Sequence, residues 1–457
     1  MVEEHKSYHD RYLLTLIFAS VFLFSFGMVS HNAFADQVVA SIPVGTNPTG
    51  VAVNPTTNEI YIANEGGTVS VIDGSTNSVT STIPVDSLAE GVAVNPITNM
   101  VYVVFDGKRE LDVINGSTNT LVQTILINCD CGGNLYAQGV AVDPATNMIY
   151  VTIYSAEHFG NVYDASSSIV EINGTTNTEV SYVDVAGWAR GVAVNQDTNM
   201  IYSTTYAPPN TNANYVYAID GSTNSVVANM SVPNNPAFIA TNPRTNMVYA
   251  SEGNGSQLVV IDGSTNTILS NIPIGNDPLG VAVNSVTNKV YVANNGNNTV
   301  SVIDGSSNQV LDTISVGSRP YLIDVNSNTN RIYVANEADN TVSVIDGSIT
   351  APQPPTGLTA TGKLLQISLN WNAPADNGGA PVTGYMIERS TNGGSTWSTI
   401  VSNTGNTGTT YTDKNVLPLT TYTYRVFAIN DVGTSGPSNT ASATTLSVGP
   451  ITPPSLP

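Results

Sequence analysis

The sequence is poor in charged residues, above all in basic ones. Asp, Glu, Lys and Arg make up 10% of the 457 residues, against roughly 25% in an average soluble protein. Only 13 Lys and Arg stand against 34 Asp and Glu, and the net charge is −21. A chain without basic runs lacks the positive surface that binds a phosphate backbone, so we expect no nucleic-acid partner.

Histidine, cysteine and the known catalytic motifs are also scarce. The chain has four His and two Cys, and His158 is the one His beyond residue 35. No zinc-protease, serine-hydrolase, P-loop or dinucleotide-binding motif occurs. A catalytic triad or a multi-His metal site would need unusual substitutes, so we expect no catalytic residues, metal or cofactor. Paired carboxylates leave acid–base chemistry open.

Turn formers and apolar residues are abundant instead. The chain has 38 Gly and 25 Pro, and 41% of its residues are apolar. This composition argues against disorder and against a helical bundle. It predicts many short strands joined by turns.

Residues 1–35 resemble an export signal. His5, Lys6 and Arg11 give a weakly basic start, residues 12–29 form an apolar run, and Ala33-Phe-Ala is a small-residue cleavage site. The run is near the lower length limit for spanning a bilayer, so the alternative is a retained membrane anchor. We expect a secreted or cell-surface protein, with membrane contact only if this segment is kept.

Three short motifs recur seven times in register. Gly-Val-Ala-Val-Asn-Pro, or a degraded form, starts at Gly50, Gly91, Gly139, Gly191, Phe238, Gly280 and Leu322. A tyrosine follows each start by 11 residues, at Tyr61, Tyr102, Tyr150, Tyr202, Tyr249, Tyr291 and Tyr333. Ile-Asp/Asn-Gly recurs at Ile72, Ile114, Ile172, Ile219, Ile261, Ile303 and Ile345. Self-similarity at this period is typical of repeat folds.

Each repeat reads as four antiparallel strands, which is one propeller blade. The seventh repeat ends after its third strand, and residues 37–44 match the fourth strand of the first repeat, residues 78–85. The sequence therefore predicts an all-β fold, a seven-bladed β-propeller over residues 36–348 that is closed by the N-terminal strand. Such closure removes the open sheet edge of an incomplete ring.

These motifs resemble the YVTN-type β-propeller repeat family of bacterial and archaeal envelope proteins. Tyr-Val-Ala-Asn stands at residues 291–294 and 333–336, and the likeness covers residues 37–348. The resemblance implies the fold and an envelope location, since the family has no single agreed activity. Repeats two to four depart from the last two positions of the motif.

A second module follows a Pro-rich linker at residues 349–355. Residues 356–446, with Trp371 in an early strand and Val416-x-Pro-x-Thr-x-Tyr422, resemble a fibronectin type III β-sandwich, and the likeness covers Pro354 to Thr445. No Arg-Gly-Asp triplet is present, so the integrin-type adhesion site of some members cannot be carried over. Residues 447–457 form a Pro-rich tail.

Loop spacing singles out one sector of the predicted propeller. The step from Tyr to the Ile motif is 11 or 12 residues in five repeats, but 22 and 17 in repeats three and four. The step from the Ile motif to the next repeat is 25 residues between repeats two and three and 19 elsewhere. These insertions emerge on one face of the disc. The candidate binding residues there are Lys108, Arg109, Tyr154, Glu157, His158, Phe159, Trp188, Arg190 and Tyr206. They are recognition anchors on long loops, or else they pack beneath their own loops.

The remaining motifs carry weaker expectations. Cys129 and Cys131 favour a loop-stiffening disulfide over metal ligation, with free thiols as a third option. N-glycosylation triplets occur at Asn115, Asn173, Asn229, Asn254 and Asn297. The Asp or Asn of each Ile-Asp/Asn-Gly motif is expected to cap a turn, because seven residues on seven blades cannot share a calcium ion.

We expect a monomeric binding protein for recognition or adhesion, with the sandwich as a spacer or contact module. Its ligand is an envelope protein or a polysaccharide. The alternatives are a propeller enzyme of the lyase or lactonase type and a structural component of a surface coat.

Overall fold

The computed structural model describes residues 36–128, 135–155, 157–159, 162–164, 166–208, 214–347, 350–378, 380–430 and 432–446. The predicted export signal, Cys129, Cys131 and the tail lie outside the described residues. Within these ranges the fold is all-β, and the one short helix is the 3₁₀ turn Glu337–Asp339. No helix in the described ranges has the length and apolarity needed to cross a membrane.

The strands alternate with tight turns throughout. In chain order they are β1 (Gln37–Pro43), β2 (Pro48–Asn54), β3 (Glu59–Asn64), β4 (Thr68–Asp73), β5 (Ser78–Pro84), β6 (Ala89–Asn95), β7 (Met100–Phe105), β8 (Glu110–Asn115), β9 (Thr120–Leu126), β10 (Leu135–Asp143), β11 (Met148–Ser155), β12 (Glu157–Phe159), β13 (Val162–Asp164), β14 (Ser166–Asn173), β15 (Thr178–Ala186), β16 (Trp188–Asn195), β17 (Met200–Tyr206), β18 (Tyr215–Asp220), β19 (Ser225–Ser231), β20 (Pro236–Asn242), β21 (Met247–Glu252), β22 (Gln257–Asp262), β23 (Thr267–Pro273), β24 (Pro278–Asn284), β25 (Lys289–Asn294), β26 (Thr299–Asp304), β27 (Gln309–Ser315), β28 (Pro320–Asn326), β29 (Arg331–Asn336), β30 (Thr341–Asp346), β31 (Thr356–Lys363), β32 (Gln366–Asn372), β33 (Gly384–Ser390), β34 (Ser398–Val401), β35 (Thr410–Asp413), β36 (Thr421–Ile429) and β37 (Ala441–Thr444).

Each sequence repeat forms a four-stranded antiparallel sheet. Sheets 1, 2, 4, 5 and 6 consist of the consecutive strands β2–β5, β6–β9, β16–β19, β20–β23 and β24–β27. Sheet 3 has the order β10-β11-β14-β15, because the hairpin β12–β13 lies within the connection of its second and third strands. Sheet 7 has the order β1-β30-β29-β28 and so combines the seventh repeat with the N-terminal strand.

The N-terminal strand is held by pairing and by a buried ion pair. Strand β1 runs antiparallel to β30, with Gln37 opposite Asp346 and Pro43 opposite Thr341. Just before it, Asp36 accepts hydrogen bonds from Lys289 Nζ at 3.0 Å and from the Tyr291 hydroxyl at 3.2 Å. The N-terminal segment is thus tied to the sixth and seventh sheets, more than 250 residues away in the chain.

The first strands of the sheets contact one another in a cyclic order. Strand β2 contacts β6 and β28, and β6, β10, β16, β20, β24 and β28 contact in succession. The approach is close. A Cβ at Gly50 would lie 2.6 Å from the Glu90 carbonyl oxygen, and one at Gly280 would lie 2.6 Å from that of Tyr321. The motif glycine is therefore required by packing against the next sheet.

The repeat tyrosines fill the space between successive sheets. Tyr61, Tyr102 and Tyr202 have no exposed surface. The Tyr61 hydroxyl reaches the turn glycine of the next sheet, since a Cβ at Gly116 would lie 2.7 Å from it. The hydrophobic core is accordingly divided into clusters, most of which combine residues of two neighbouring sheets.

A belt of asparagine pairs joins the sheets at the turns between first and second strands. In six interfaces the amide of the last residue of the first strand donates to an Asn Oδ1 of the next sheet at 2.7 Å. The pairs are Asn54–Asn99, Asn95–Asn147, Asn195–Asn246, Asn242–Asn288, Asn284–Asn330 and Asn326–Asn58. The acceptor residues have a left-handed backbone, which Asn tolerates better than most residues. The seventh interface has Asp143 in the donor position, and the Asn199 Oδ1 is buried without a partner.

The C-terminal module is a two-sheet sandwich. Its sheets have the orders β31-β32-β35 and β34-β33-β36-β37. Trp371 is 2% exposed and its ring meets Tyr385 edge-on at 5.2 Å. The Tyr422 hydroxyl accepts a hydrogen bond from the Leu417 N–H at 3.0 Å, which is the tyrosine corner that the sequence predicts.

Candidate functional site

An aromatic cluster is built from two cross-strand pairs. In sheet 3 Tyr136 lies opposite Tyr154, and in sheet 4 Trp188 lies opposite Tyr206. The Tyr136 and Tyr154 rings stack at 5.0 Å, and the Trp188 and Tyr206 rings meet edge-on at 5.3 Å. Tyr154 joins the two pairs, at 6.0 Å from Trp188 and 6.4 Å from Tyr206. We call these four residues the aromatic cluster.

The rings are packed against one another and still reach the surface. Tyr154 is 7% exposed, whereas Tyr136, Trp188 and Tyr206 are half-buried. Burial and the Tyr206 hydroxyl raise the pKa of Tyr154, which therefore stays protonated. The cluster thus offers aromatic surface on a rigid base of paired strands.

A small pocket adjoins the cluster at Tyr206. Its volume is about 190 Å³. The residues that line it, which define the pocket here, are Gln138, Arg190, Tyr206, Asn235, Gly253, Asn254 and Asp277. Most of the lining is polar, and Asp277 accepts a hydrogen bond from the Asn254 N–H at 3.1 Å.

Arg190 links the pocket to a hydrogen-bonded chain at the inner strands. Its Nη2 donates to the Tyr321 hydroxyl at 3.1 Å, and that hydroxyl donates to Glu90 Oε1 at 2.6 Å. The guanidinium lies 4.9 Å from the centre of the Phe238 ring, and Phe238 meets Tyr321 edge-on at 5.9 Å. Sheets 2, 4, 5 and 7 therefore contribute to one connected group.

Burial changes the protonation of this group. Glu90 is 4% exposed, and desolvation raises its pKa to about 7 even though Tyr321 donates to it. Burial and the neighbouring Glu90 raise the pKa of Tyr321, so its hydroxyl keeps its proton. Glu90 therefore keeps its proton to a higher pH than an exposed carboxyl does, and such a shift is typical of groups at functional sites.

A second cavity of about 350 Å³ lies below this group, among the inner strands. Six repeats have Ala at the third motif position, and the seventh has Asp324. Asp324 Oδ2 accepts a hydrogen bond from the Val53 N–H at 2.8 Å. Burial raises the pKa of this carboxyl to about 6. The Oδ2 atom of Asp324 is thus used in a hydrogen bond that joins sheet 7 to sheet 1.

The structure unites some of the sequence-predicted site residues and separates others. Tyr154, Trp188 and Tyr206 share the aromatic cluster, and Arg190 lies in the adjoining pocket. Residues 157–159, with Glu157, His158 and Phe159, form strand β12, and their side chains lie outside the described part of the chain.

Lys108 and Arg109 belong to neither the aromatic cluster nor the pocket lining. Lys108 pairs with Asp86 and lies 3.9 Å from Glu110, with its ammonium 5.6 Å from the Phe105 ring centre. Arg109 is exposed. Both belong to the connection between β7 and β8 in sheet 2, which is not enlarged.

The placement of Trp188 and Arg190 on a long loop is wrong. Both are in strand β16, because the pairing with β17 continues to Trp188 and Tyr206. Arg190 is half-buried rather than solvent-facing. Its guanidinium is enclosed because the first strands of neighbouring sheets pack closely around it.

Sequence reasoning missed the residues that complete the site. Glu90, Gln138 and Tyr321 share one repeat position with Arg190, immediately before the motif glycine or its substitute. In the other repeats this position is Thr49, Ala237 and Leu279. A comparison of the seven repeats at this position would have identified them as neighbours, because equivalent residues of the inner strands lie around one centre.

The predicted turn caps and N-glycosylation triplets are turn-capping or exposed residues. Asp73 accepts hydrogen bonds from the N–H and the hydroxyl of Ser75, which supports its role as a turn cap. Asn115 and Asn173 cap turns in the same way. Asn229, Asn254 and Asn297 are exposed. Asn254 lines the pocket, so a glycan on it would block the pocket.

Comparison with known proteins supports both modules. The fibronectin type III domain family matches residues 353–444, and the NHL repeat, a β-propeller-type repeat, matches residues 276–303. Mouse fast-type myosin-binding protein C is 38% identical over 92 residues, and mouse protein sidekick-1 is 36% identical over 112 residues. These matches cover 20% and 24% of this chain but only 8% and 5% of the relatives. Drosophila melanogaster titin is 34% identical over 95 residues, which is 21% of this chain and 0% of titin.

A solved structure resembles the larger part of the fold. Kuenenia stuttgartiensis hydrazine synthase has a TM-score of 0.56 and 16% identity, and the match covers 66% of this chain and 95% of that chain. This likeness concerns the fold alone. Together the comparisons identify a chain with a fibronectin type III domain and a propeller-type repeat, families that suggest a binding or scaffold role.

Proposed function

We propose that this protein is an exported saccharide-binding protein. In this proposal the seven sheets are the blades of a YVTN-type β-propeller, the pocket and the aromatic cluster are the binding site, and the sandwich is a spacer or second contact module. The cyclic contacts of the first strands and the pairing of β1 with β30 support the closed seven-bladed arrangement. The sequence of residues 1–35 supports export, and the envelope location follows from the family resemblance.

The proposal rests on one observation: an aromatic surface lies next to a polar pocket. A sugar ring has an apolar face that stacks on aromatic rings and hydroxyls that exchange hydrogen bonds with amide and carboxylate groups. Tyr206 belongs to both the cluster and the pocket, and Asn235, Asn254 and Asp277 supply the polar partners. A volume of about 190 Å³ suits one sugar residue rather than the surface of a folded protein.

The test is a titration of the mature protein with short oligosaccharides, both neutral and acidic, followed by tryptophan fluorescence and calorimetry. Trp188→Ala should weaken saccharide binding by at least tenfold, because aromatic anchors contribute about 2 kcal/mol or more to an interface. Trp397→Ala is the matched control. Its ring is half-buried beneath a guanidinium in the sandwich, with Arg425 4.3 Å from the ring centre, so its loss should leave binding unchanged.

Two outcomes would contradict the proposal. One is that no oligosaccharide binds even at millimolar concentration. The other is that Trp188→Ala lowers the melting temperature yet binds normally while folded, which would mean that the ring only supports its neighbours.

An enzyme of the lyase or lactonase type is the second candidate. One observation favours an enzyme: Glu90 is buried beside Tyr321 and Arg190, and its pKa is raised to about 7. Acid–base catalysts have pKa values near the pH at which they work. Mass spectrometry of oligosaccharides after incubation distinguishes the two functions. New products that vanish in Glu90→Gln would favour the enzyme, and unchanged ligand favours binding alone.

A further inference from the structure

Arg190 stands apart from the other basic side chains of the described residues. Six of the others contact a carboxylate, namely Lys108, Lys289, Arg319, Arg331, Arg389 and Arg425. Four are exposed, namely Arg109, Arg244, Lys363 and Lys414. Arg190 is neither exposed nor within ion-pair distance of any carboxylate whose side chain the structure describes.

The guanidinium of Arg190 also has an unused donor. Nη2 donates to the neutral Tyr321 hydroxyl, and one face rests on Phe238. Nε is buried and has no hydrogen-bond partner. Leaving a buried charged donor unpaired is costly, and a planar carboxylate is the group that best matches a guanidinium.

Glu90 attracts the charge of Arg190 but makes no direct hydrogen bond to it. The Tyr321 hydroxyl lies between Glu90 and Arg190, and desolvation favours the protonated form of Glu90. On the pocket wall, Asp277 already accepts the Asn254 N–H. Gln138 lines the same pocket, and its buried Oε1 has no hydrogen-bond partner. This oxygen can accept a hydrogen bond from a sugar hydroxyl.

We propose that the pocket binds the carboxylate of an acidic saccharide, such as a uronic acid, and that Arg190 is the residue that binds it. This inference rests on the proposed saccharide-binding function and names its ligand class. The carboxylate completes the hydrogen bonding of Arg190, while the sugar ring lies against Tyr206 and the aromatic cluster. Neutral sugars would leave the buried guanidinium unpaired.

The experiment compares tetragalacturonate with its full methyl ester, which has the same backbone but no charge. The unaltered mature protein should bind the acid more tightly than the ester by on the order of tenfold to hundredfold, the range of a charge-assisted hydrogen bond. Arg190→Gln keeps a donor for Tyr321 but removes the charge. It should bind acid and ester with equal affinity, because the charge that distinguishes them is gone. Arg425→Gln in the sandwich is the matched control and should keep the preference for the acid.

Each other result overturns a defined part of the proposal. Equal binding of acid and ester by the unaltered protein disproves the carboxylate site and leaves saccharide binding intact. A preference for the acid that survives in Arg190→Gln disproves the role of Arg190. Displacement of tetragalacturonate by acetate at comparable concentration disproves recognition of the saccharide. Failure of both tetramers and of all neutral oligosaccharides to bind disproves the proposed function itself. The acid–ester comparison uses the unaltered protein, so it holds even if a variant folds poorly.

Discussion

The break in the asparagine belt is predicted to be repairable by one substitution. Six sheet interfaces have an Asn–Asn hydrogen bond of 2.7 Å, for example Asn95 to Asn147. At the seventh, Asp143 has no amide to donate, and the Asn199 Oδ1 is buried and unpaired. Asp143→Asn supplies the missing donor at a position that is 1% exposed.

The expected gain follows from the bonds made and lost. An Asn at this position keeps the acceptor that caps the Ala145 N–H at 2.9 Å and loses the bond from the Thr146 hydroxyl at 2.8 Å. It gains a hydrogen bond to Asn199. The lost bond costs little because Thr146 is exposed and its hydroxyl can bond to water instead. The bond to Asn199 contributes about 1 kcal/mol and satisfying a buried acceptor adds to it, so we expect a stabilisation of about 1–2 kcal/mol. In a domain of this size that raises the melting temperature by roughly 2–6 °C.

Thermal and urea unfolding of the mature protein, followed by circular dichroism, measure this gain. The reciprocal variant Asn95→Asp recreates the break at another interface and leaves the Asn147 Oδ1 without its donor. It should be less stable by about 1–3 kcal/mol. The reasoning is refuted if Asp143→Asn is no more stable than the unaltered protein while Asn95→Asp is destabilised, because the two interfaces would then not be equivalent.

Two further predictions concern Glu90 and Tyr422. The pKa of Glu90 rises from 4.5 to about 7 on folding, so the folded state binds the extra proton and stability falls as the pH rises through this window. The difference in the free energy of unfolding between Glu90→Gln and the unaltered protein should therefore change by about 3 kcal/mol between acidic and alkaline pH, in favour of the variant at high pH. If urea unfolding gives the same difference at every pH, the carboxyl is not buried. Tyr422→Phe removes the acceptor of the Leu417 N–H and should destabilise the sandwich by roughly 1–3 kcal/mol in urea unfolding. Tyr385→Phe is its control, and equal effects of the two variants would refute a specific contribution of the tyrosine corner.

The repeat motifs predict most of the fold because each motif residue has a local structural task. The glycine permits close packing of the first strands, the tyrosine fills the space between sheets, and the Asp of Ile-Asp-Gly caps a turn. These tasks depend on spacing, which a sequence shows directly. The pairing of β1 with β30 was predictable for the same reason, since residues 37–44 repeat the pattern of a fourth strand.

The site was predictable only in part because its contacts join sheets that are far apart in the sequence. Tyr154, Trp188 and Tyr206 could be grouped from loop lengths within neighbouring repeats. The chain from Arg190 through Tyr321 to Glu90 joins residues up to 231 positions apart, and no spacing in the sequence encodes that geometry. Burial of Arg190 was missed for the same reason, since the enclosing Phe238 and Tyr321 belong to other sheets.

A comparison of the seven repeats distinguishes residues that hold the sheets together from residues that differ between the sheets. Positions that hold the sheets together carry nearly the same residue in every copy, such as the Tyr of the second strand. The position before the motif glycine differs in all seven copies, from Thr49 and Ala237 to Glu90 and Arg190. Its two charged members, Glu90 and Arg190, both hydrogen bond to the hydroxyl of a third member, Tyr321. A position at which all seven copies differ thus supplies two residues of the pocket lining, Gln138 and Arg190, so differences between the copies rather than the shared motif give the pocket its chemistry.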